Sequence, residues 1–598
     1  MGDRKAAITQ TSSFVDMPDG VRLAVDFWLP ENLPVGTCLP AIFLSTRYWR
    51  AFGLVVDRPE MQGFYSIARF FNRHGCALVV ADARGSGASF GTRTGEWSVE
   101  EIDDMAYLID WIEVQTWCNG RVCTFGNSYC GNTAFLAAST GRNALKVIAP
   151  QFADFDLYSQ IAFPGGIPNA WLHDNWGAMT AAMDRNDFAA MLEYERVDNP
   201  EEALKIINGV RPVDDDDGTL LGMAIADHVQ NLNLANATAN SIYRDDPMGR
   251  SGDSVSTAES SSIYSHRLSI ETAAVPIFYR AGWFDAGTAE GALNLFTTFT
   301  NPMRVKIGPW NHGMANYQDP FQTESPPAPI DEEENLSDVL ALIEPFLQAG
   351  REEDKVELGV LDYFTVGENR WKETRTWPLP QTQWQSLFFA ADSRLSSEPP
   401  SETTGSDKHE VDPEISTGTQ NRWHTQIGRG PVIYTDRAGQ DKALLSYTSV
   451  PLAHDTEITG HPRVRLFVRS DASDGLFLVY LEMVAPDGRV TLFSEGYLRA
   501  LHRKIPEEKP PYTIFGPYHS FRREDGKPLV PGKVERLEFS LLPISILIPE
   551  GYSLRVSIAG ADRDTFDPIE GCEAPLIEME RNRQFQSGIE LPLIPGNT

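Results

Sequence analysis

The stretch Arg121–Thr140, RVCTFGNSYCGNTAFLAAST, constrains this chain more than any other. Val122, Cys123, Thr124 and Phe125 form a compact apolar, β-prone run. Gly126 and Gly131 bracket Asn127-Ser128-Tyr129-Cys130, and an Ala/Leu/Phe segment of good helix formers follows. The pattern reads as a short strand, a sharp turn and a helix. Such a turn holds Ser128 in a strained conformation with its oxygen exposed. The helix behind it aims free N–H groups and the positive end of its dipole at developing negative charge. The usual G-x-S-x-G spacing is altered, because the residue two after Ser128 is Cys130 and the glycine comes one later.

A chain of 598 residues exceeds what one core supports, so two or three domains are expected. A formal net charge of −32 disfavours nucleic acid and anionic membrane surfaces as partners. The six cysteines, Cys38, Cys76, Cys118, Cys123, Cys130 and Cys572, form no CxxC pairs. That argues against a disulfide framework and against a zinc site. The start, MGDRKAAITQTSS, has no apolar signal core, and no segment approaches a membrane span. A cytoplasmic, reducing setting is expected.

Residues 14–30 alternate as a β-hairpin turning at Asp19-Gly20. Pro40–Ser45 is a buried strand that ends in the aromatic and basic loop Thr46–Arg50. Cys76–Ala81 is another strand, running into Asp82-Ala-Arg84-Gly85-Ser-Gly87, a tight turn without the spacing of a phosphate or dinucleotide loop. Ser98-Val-Glu-Glu101 is a capping box opening a helix with Ile102, Met105, Ile109 and Ile112 on one face. Leu145–Ala149 is the next strand. Strands alternating with helices predict a mostly parallel sheet covered on both faces, with its chemistry at the carboxyl ends of the strands. Strand runs vanish from 155 to 268, where helical segments predict a cap. Within it, Asp214–Asp217 reads as a solvated acidic loop, and Trp171, His173 and Trp176 lie where a cap would face a site. Strands return at Pro276–Tyr279, followed by Asp285, and at Arg304–Ile307, followed by His312. The order Ser, Asp, His is that of α/β-hydrolases. From 379 onward short β runs dominate (Pro431–Tyr434, Arg463–Val468, Leu476–Met483, Arg536–Leu541, Tyr552–Ile558), predicting an all-β sandwich or jelly roll. The polar stretch 395–422 reads as an exposed loop. The predicted organisation is an α/β-hydrolase core over 1–154 and 269–378, a helical cap over 155–268 and a C-terminal jelly roll over 379–598.

Several stretches resemble the cocaine esterase/NonD hydrolase family, within the X-Pro dipeptidyl-peptidase-like group. They include ADARGSGASFG at 81–91, GNSYCG at 126–131, GWFDAG at 282–287, IGPWNHG at 307–313 and VGENRW at 366–371, in family order. The resemblance implies Ser128 as nucleophile, Asp285 as orienting acid and His312 as general base. It also implies an oxyanion hole made by the Tyr48 hydroxyl and the Tyr129 backbone N–H. Ala286, Gly287 and Thr288 follow Asp285, so the carboxylates that α-amino acid ester hydrolases carry there are absent. There is also no clear Glu pair for a peptide N-terminus.

The expected activity is hydrolysis of a small-molecule carboxylic ester, or an amide, through an acyl-enzyme, with no cofactor and no metal. An X-Pro dipeptidyl aminopeptidase and an acyltransferase are the alternatives on the same fold. Trp49, Trp171, Trp176 and Phe284 suggest an aromatic-lined pocket for an aryl or bulky acyl group. A homodimer is what the resemblance implies for assembly.

Overall fold

Continuous apolar runs become the interior strands of one sheet. The computed structural model describes residues 8–596 apart from 195–198, 240, 253, 323–326 and 349–355. The sheet has ten strands: β1 (Ile8–Asp16), β2 (Arg22–Pro30), β3 (Leu39–Thr46), β4 (Ala77–Asp82), β5 (Cys118–Asn127), β6 (Leu145–Gln151), β7 (Ile277–Gly282), β8 (Met303–Gly308), β9 (Val360–Thr365) and β10 (Arg370–Thr374). Their spatial order is β1-β2-β4-β3-β5-β6-β7-β8-β9-β10. Strands from β4 to β9 along this order run parallel, while β1, β2 and β10 close the two edges antiparallel.

The lettering of β4 shows why its run is unbroken. Ala77, Val79 and Ala81 enter one core cluster, and Leu78 and Val80 enter the other. Both faces are covered, so neither can be polar. The helices doing the covering are α1 (Tyr65–Arg73), α2 (Val99–Glu113), α3 (Tyr129–Ala138), α5 (Thr288–Thr298) and α6 (Glu332–Leu347), with α4 (Ala170–Asp184) in the cap between them. Phe70 and Phe71 of α1 and Ile343 of α6 share one cluster; Ile109 of α2, Leu136 of α3 and Leu293 of α5 share the other. This is an α/β-hydrolase core.

Residues 155–268 are mainly helical, but three short strands also occur there. Ile207–Val210 pairs with Phe52–Leu54 of the core, and Gly249–Ser251 pairs with Ser254–Ser256. Three or four residues are too few to give a readable alternation. The acidic run is built into the cap: Asp216 accepts the Leu220 and Leu221 N–H groups at 2.9 Å, and Asp214 accepts Ser12 N–H and pairs with Arg211.

The C-terminal part carries a 13-stranded sheet beginning at Gln383. Two expectations fail there. Pro431–Tyr434 is not a strand; it forms irregular chain joined to Gln420 by an Ile433 N–H bond. Nor is 395–422 simply an exposed loop. Ser406–Glu410 pairs with Leu576–Glu580, and Asn421 and Arg422 are buried. The polar composition reflects bonding across an internal boundary: Arg422 pairs with Glu495 at 2.7 Å and donates to the Trp283 carbonyl at 3.1 Å. Among the described residues no helix is long and apolar enough to cross a membrane.

One buried ion cluster holds the loop after β3 in place. Arg50 is fully buried, with Nε 2.7 Å from Asp26 of β2 and Nη1 3.1 Å from Asp82 of β4. Its Nη2 donates to Ser12 Oγ of β1 at 2.7 Å, and its backbone N–H donates to Asp82 at 2.6 Å. Removing the cation leaves buried Asp82 without its ion-pair partner and Asp26 with only the more distant Arg211 at 3.8 Å. Arg50→Leu is expected to cost about 3–5 kcal/mol, read as a lowered urea midpoint. The loss shrinks at acidic pH as Asp82, whose carboxyl burial pushes above its usual range, takes up a proton. A change below about 1 kcal/mol, the range of an exposed pair, would contradict this role.

Candidate active site

Ser128 stands between β5 and α3 with φ 59° and ψ −125°. Few side chains adopt such a backbone, and here the surrounding glycines enforce it. A Cβ on Gly126 would lie 2.3 Å from the Cys130 carbonyl oxygen, and one on Gly131 would lie 2.5 Å from that of Gln151. The second contact explains the altered motif spacing, since the close approach to β6 falls at Gly131. The Ser128 N–H donates to the Gln151 carbonyl at 3.0 Å, and α3 starts at Tyr129.

Asp285 and His312 follow β7 and β8, the strands next along the sheet from β6. His312 Nδ1 lies 3.0 and 3.1 Å from the two Asp285 oxygens, a geometry in which Nδ1–H donates to a carboxylate. Asp285 is fully buried and also accepts Thr288 Oγ1 at 3.1 Å and Gln426 Nε2. The His312 N–H donates to Thr425 Oγ1 at 3.3 Å. The elbow and the histidine turn are neighbours. A Cβ on Gly313 would sit 3.1 Å from Asn127 Nδ2, and Phe152, next to the Gln151 that holds Ser128, meets the His312 ring edge-on at 6.1 Å.

Ser128 opens into a cavity of about 100 Å³. Its wall is mostly apolar: Trp97, Leu157, Ile161, Leu172, Trp176, Leu232, Leu234 and Met248, with Tyr48, Tyr129, Glu96, Asp154, His173 and Gln426 among the polar members. Leu172, His173 and Trp176 share one face of α4. Tyr48 Oη accepts Trp176 Nε1–H at 2.9 Å, and the Tyr48 and Tyr129 rings meet edge-on at 5.9 Å. Burial holds the Tyr48 phenol well above its ordinary pKa, so it stays a neutral O–H donor. The Tyr129 ring stacks on Trp97 at 4.7 Å and its hydroxyl donates to Glu101 at 2.6 Å. The Glu101 carboxyl, read as one half of a capping box, is thus turned inward, and burial pushes it up to about 7. Glu96 is occupied by Arg47 at 2.5 Å.

Of the aromatic residues expected to line a pocket, Trp176 does so. Trp49 packs against Phe52 and Phe188 and donates to the Met183 carbonyl at 3.3 Å, away from the cavity. Trp171 stacks on His424 of the C-terminal part at 4.2 Å. Phe284 is buried in the core, its N–H on the Trp310 carbonyl at 3.1 Å. Aromatic rings beside a site motif serve equally well to pack the loops that carry it. Sequence reading missed Trp97, Asp154, Thr425 and Gln426. Asp154 had a signal: it follows β6 as Asp285 follows β7. Gln426 and Thr425 had none, since they reach the site from a polar segment of the β-rich part. Among the described residues no group of three His, Cys, Asp or Glu is placed to hold a metal ion.

Comparison with known proteins matches the chain to a family. The model of the X-Pro dipeptidyl-peptidase (S15 family) matches residues 19–314, and that of the X-Pro dipeptidyl-peptidase C-terminal non-catalytic domain matches 351–575. A Mycobacterium bovis protein named "Putative serine esterase" is 39% identical over 99% of this chain and 96% of its own. Cocaine esterase of a Rhodococcus species is 25% identical over 92% of this chain and 91% of its own. A CocE/NonD family hydrolase of Staphylococcus aureus has the same fold, with a TM-score of 0.69 at 17% identity over 99% of this chain and 97% of that one. The chain therefore belongs to the cocaine esterase/NonD hydrolase family, within the X-Pro dipeptidyl-peptidase (S15) group, and is a serine esterase.

Proposed function

We propose that the enzyme cleaves carboxylic esters with a bulky, mainly apolar acyl group through an acyl-enzyme on Ser128. The observation that carries this reading is the Ser128 elbow opening into an apolar cavity beside a buried His312–Asp285 pair. In the reaction, His312 takes the Ser128 proton as the oxygen attacks the ester carbonyl. Asp285 holds the imidazole with Nδ1–H toward it and stabilises the imidazolium. Collapse of the tetrahedral intermediate transfers the proton from His312 to the leaving alcohol and leaves an ester on Ser128. Water then repeats the sequence and frees the acid. Acyl transfer to another alcohol or an amine shares the first half and differs only in the acceptor.

Charge on the tetrahedral oxygen meets two donors, the Tyr129 N–H at the start of α3 and the Tyr48 hydroxyl. Trp176 contributes here without touching the reacting atoms. Its N–H donates to Tyr48 Oη, which leaves the Tyr48 proton free for the oxyanion and polarises that O–H toward it. The cap helix α4 thus supports the oxyanion donor and lines the acyl cavity with the same residue.

Intact-protein mass spectrometry after a fluorophosphonate tests the nucleophile. One adduct is expected on the native enzyme and none on Ser128→Ala, whose ester turnover falls by on the order of 10⁵–10⁶-fold. Full turnover in that variant would overturn the reading. Tyr48→Phe is expected to lower kcat by ~10²–10³ with little change in KM. An equal effect on KM alone would place Tyr48 in ground-state binding. Gln426→Leu removes a hydrogen bond to charged Asp285 and is expected to lower kcat by roughly 10–100-fold while fluorophosphonate still labels Ser128. Unchanged kcat would take Gln426 out of the site's support.

A further inference from the structure

The cavity contains a carboxyl oxygen, Asp154 Oδ1, that no group among the described residues satisfies. Asp154 lies just after β6, and its backbone is fixed from both sides by Asn132 of α3. The Asp154 N–H donates to Asn132 Oδ1 at 3.0 Å, and Asn132 Nδ2 donates to the Asp154 carbonyl at 3.2 Å. Asn132 is itself fully buried, and its N–H donates to the Ser128 carbonyl at 2.9 Å. The carboxyl group is therefore placed rigidly with respect to the elbow. Yet Asp154 Oδ1 is buried without a hydrogen-bond partner, although the residue is only 6% exposed and lines the cavity with Ser128. A second polar atom of the same wall, His173 Nε2 on α4, is also buried and unpartnered. Buried polar groups are nearly always satisfied, and exceptions inside a binding cavity point to the ligand as the missing partner.

We infer that Asp154 is a specificity group of this cavity, a neutral carboxylic acid that donates a hydrogen bond to an acceptor oxygen on the substrate. The preferred esters then carry a carbonyl oxygen, such as a ketone, on an otherwise apolar acyl chain. The inference rests on the reading of this cavity as the acyl site of a serine esterase.

The surroundings fix the protonation state. Asp285 is the charged neighbour, and its negative charge adds to burial in pushing Asp154 up to about 8. Tyr279 of β7 also faces it, but its hydroxyl is committed to the Ala153 carbonyl at 2.5 Å. His173 is held neutral, its pKa lowered by burial to about 4. Glu96 is paired with Arg47, and among the described residues no Lys or Arg lines the cavity. Asp154 thus has no cation to hold it ionised, and at neutral pH it keeps its proton. A carboxylic acid in an apolar site beside reacting groups is a strong hydrogen-bond donor. Above about 8 it ionises and the donor is lost.

The test uses ethyl octanoate and its keto analogues, with the ketone moved stepwise along the chain. The readout is the ratio of kcat/KM for the best keto ester to that for the plain ester. Any ionisation that affects turnover of both substrates alike cancels in this ratio. The native enzyme is expected to prefer one keto position by roughly tenfold, with the preference vanishing as pH rises through about 8. Asp154→Asn, which keeps a donor and cannot ionise, retains the preference at high pH. Asp154→Leu loses it at every pH. A uniform ratio near one across the series in the native enzyme would overturn the inference. So would a preference that survives in Asp154→Leu, or selection of an ammonium-bearing analogue over all keto esters. Fluorophosphonate labelling is run on each protein. Labelling at Ser128 without a keto preference overturns only the role of Asp154, whereas no labelling of the native enzyme overturns the serine reading itself. If Asp154→Leu does not fold, the pH profile of Asp154→Asn against the native enzyme decides alone.

Discussion

A serine held at φ 59° is the constraint on which the rest of this structure depends. A non-glycine residue in that region costs on the order of 1–3 kcal/mol, and the fold offsets it locally. Gly126 lets the chain close on Cys130, Gly131 lets α3 approach β6, and the Ser128 N–H is satisfied by the Gln151 carbonyl. β6 then cannot move without the elbow. Phe152, which follows Gln151, meets the His312 ring edge-on, so the strand that holds Ser128 also packs beside His312. The close packing of glycine against backbone is thus what brings the carboxyl ends of β5, β6, β7 and β8 together around one point.

The site is also shared between parts of the chain far apart in sequence. The core supplies Ser128, Asp285, His312 and Tyr48. The cap supplies Trp176, which donates to Tyr48, and His173 and Leu172 on the same face of α4. The β-rich part supplies Gln426 to Asp285 and Thr425 to the His312 backbone. Arg422, paired with Glu495 and bound to the Trp283 carbonyl, fastens that segment beneath the Asp285 loop. The C-terminal part is described as non-catalytic in the family model it matches. Here its Gln426 and Thr425 nonetheless bond to Asp285 and to the His312 backbone.

Much of the core was legible in the sequence because its signals are local. A strand buried on both faces must be continuously apolar, as β4 is, and a strand–Gly–x–Ser–helix junction leaves few alternatives to an elbow. The meeting of Asp285 with His312 was legible because each follows a strand in consecutive order. The β-rich part was read less well. Pro431–Tyr434 has strand-like residues but spends its backbone bonds on a link to Gln420, and 395–422 looked solvated because its polar groups bond across an internal boundary. Pocket aromatics were mostly misjudged for a related reason. Trp49, Trp171 and Phe284 are near the motifs in sequence, but each is consumed by packing that only the tertiary structure reveals. Gln426 lies more than a hundred residues from the acid it binds, so no spacing rule marks it.

The central claim is that chemistry passes through a covalent ester on Ser128, and a pre-steady-state experiment addresses it most directly. The native enzyme would be mixed with excess chromogenic ester of a bulky apolar acid, quenched in acid within the first turnover and examined by intact mass and peptide mapping. The account predicts a burst of alcohol release equal to the enzyme concentration, accompanied by one acyl group carried on the peptide containing Ser128. Steady turnover with neither burst nor adduct, under conditions where deacylation is slowed by a hindered acyl group, would contradict it and favour direct attack by water.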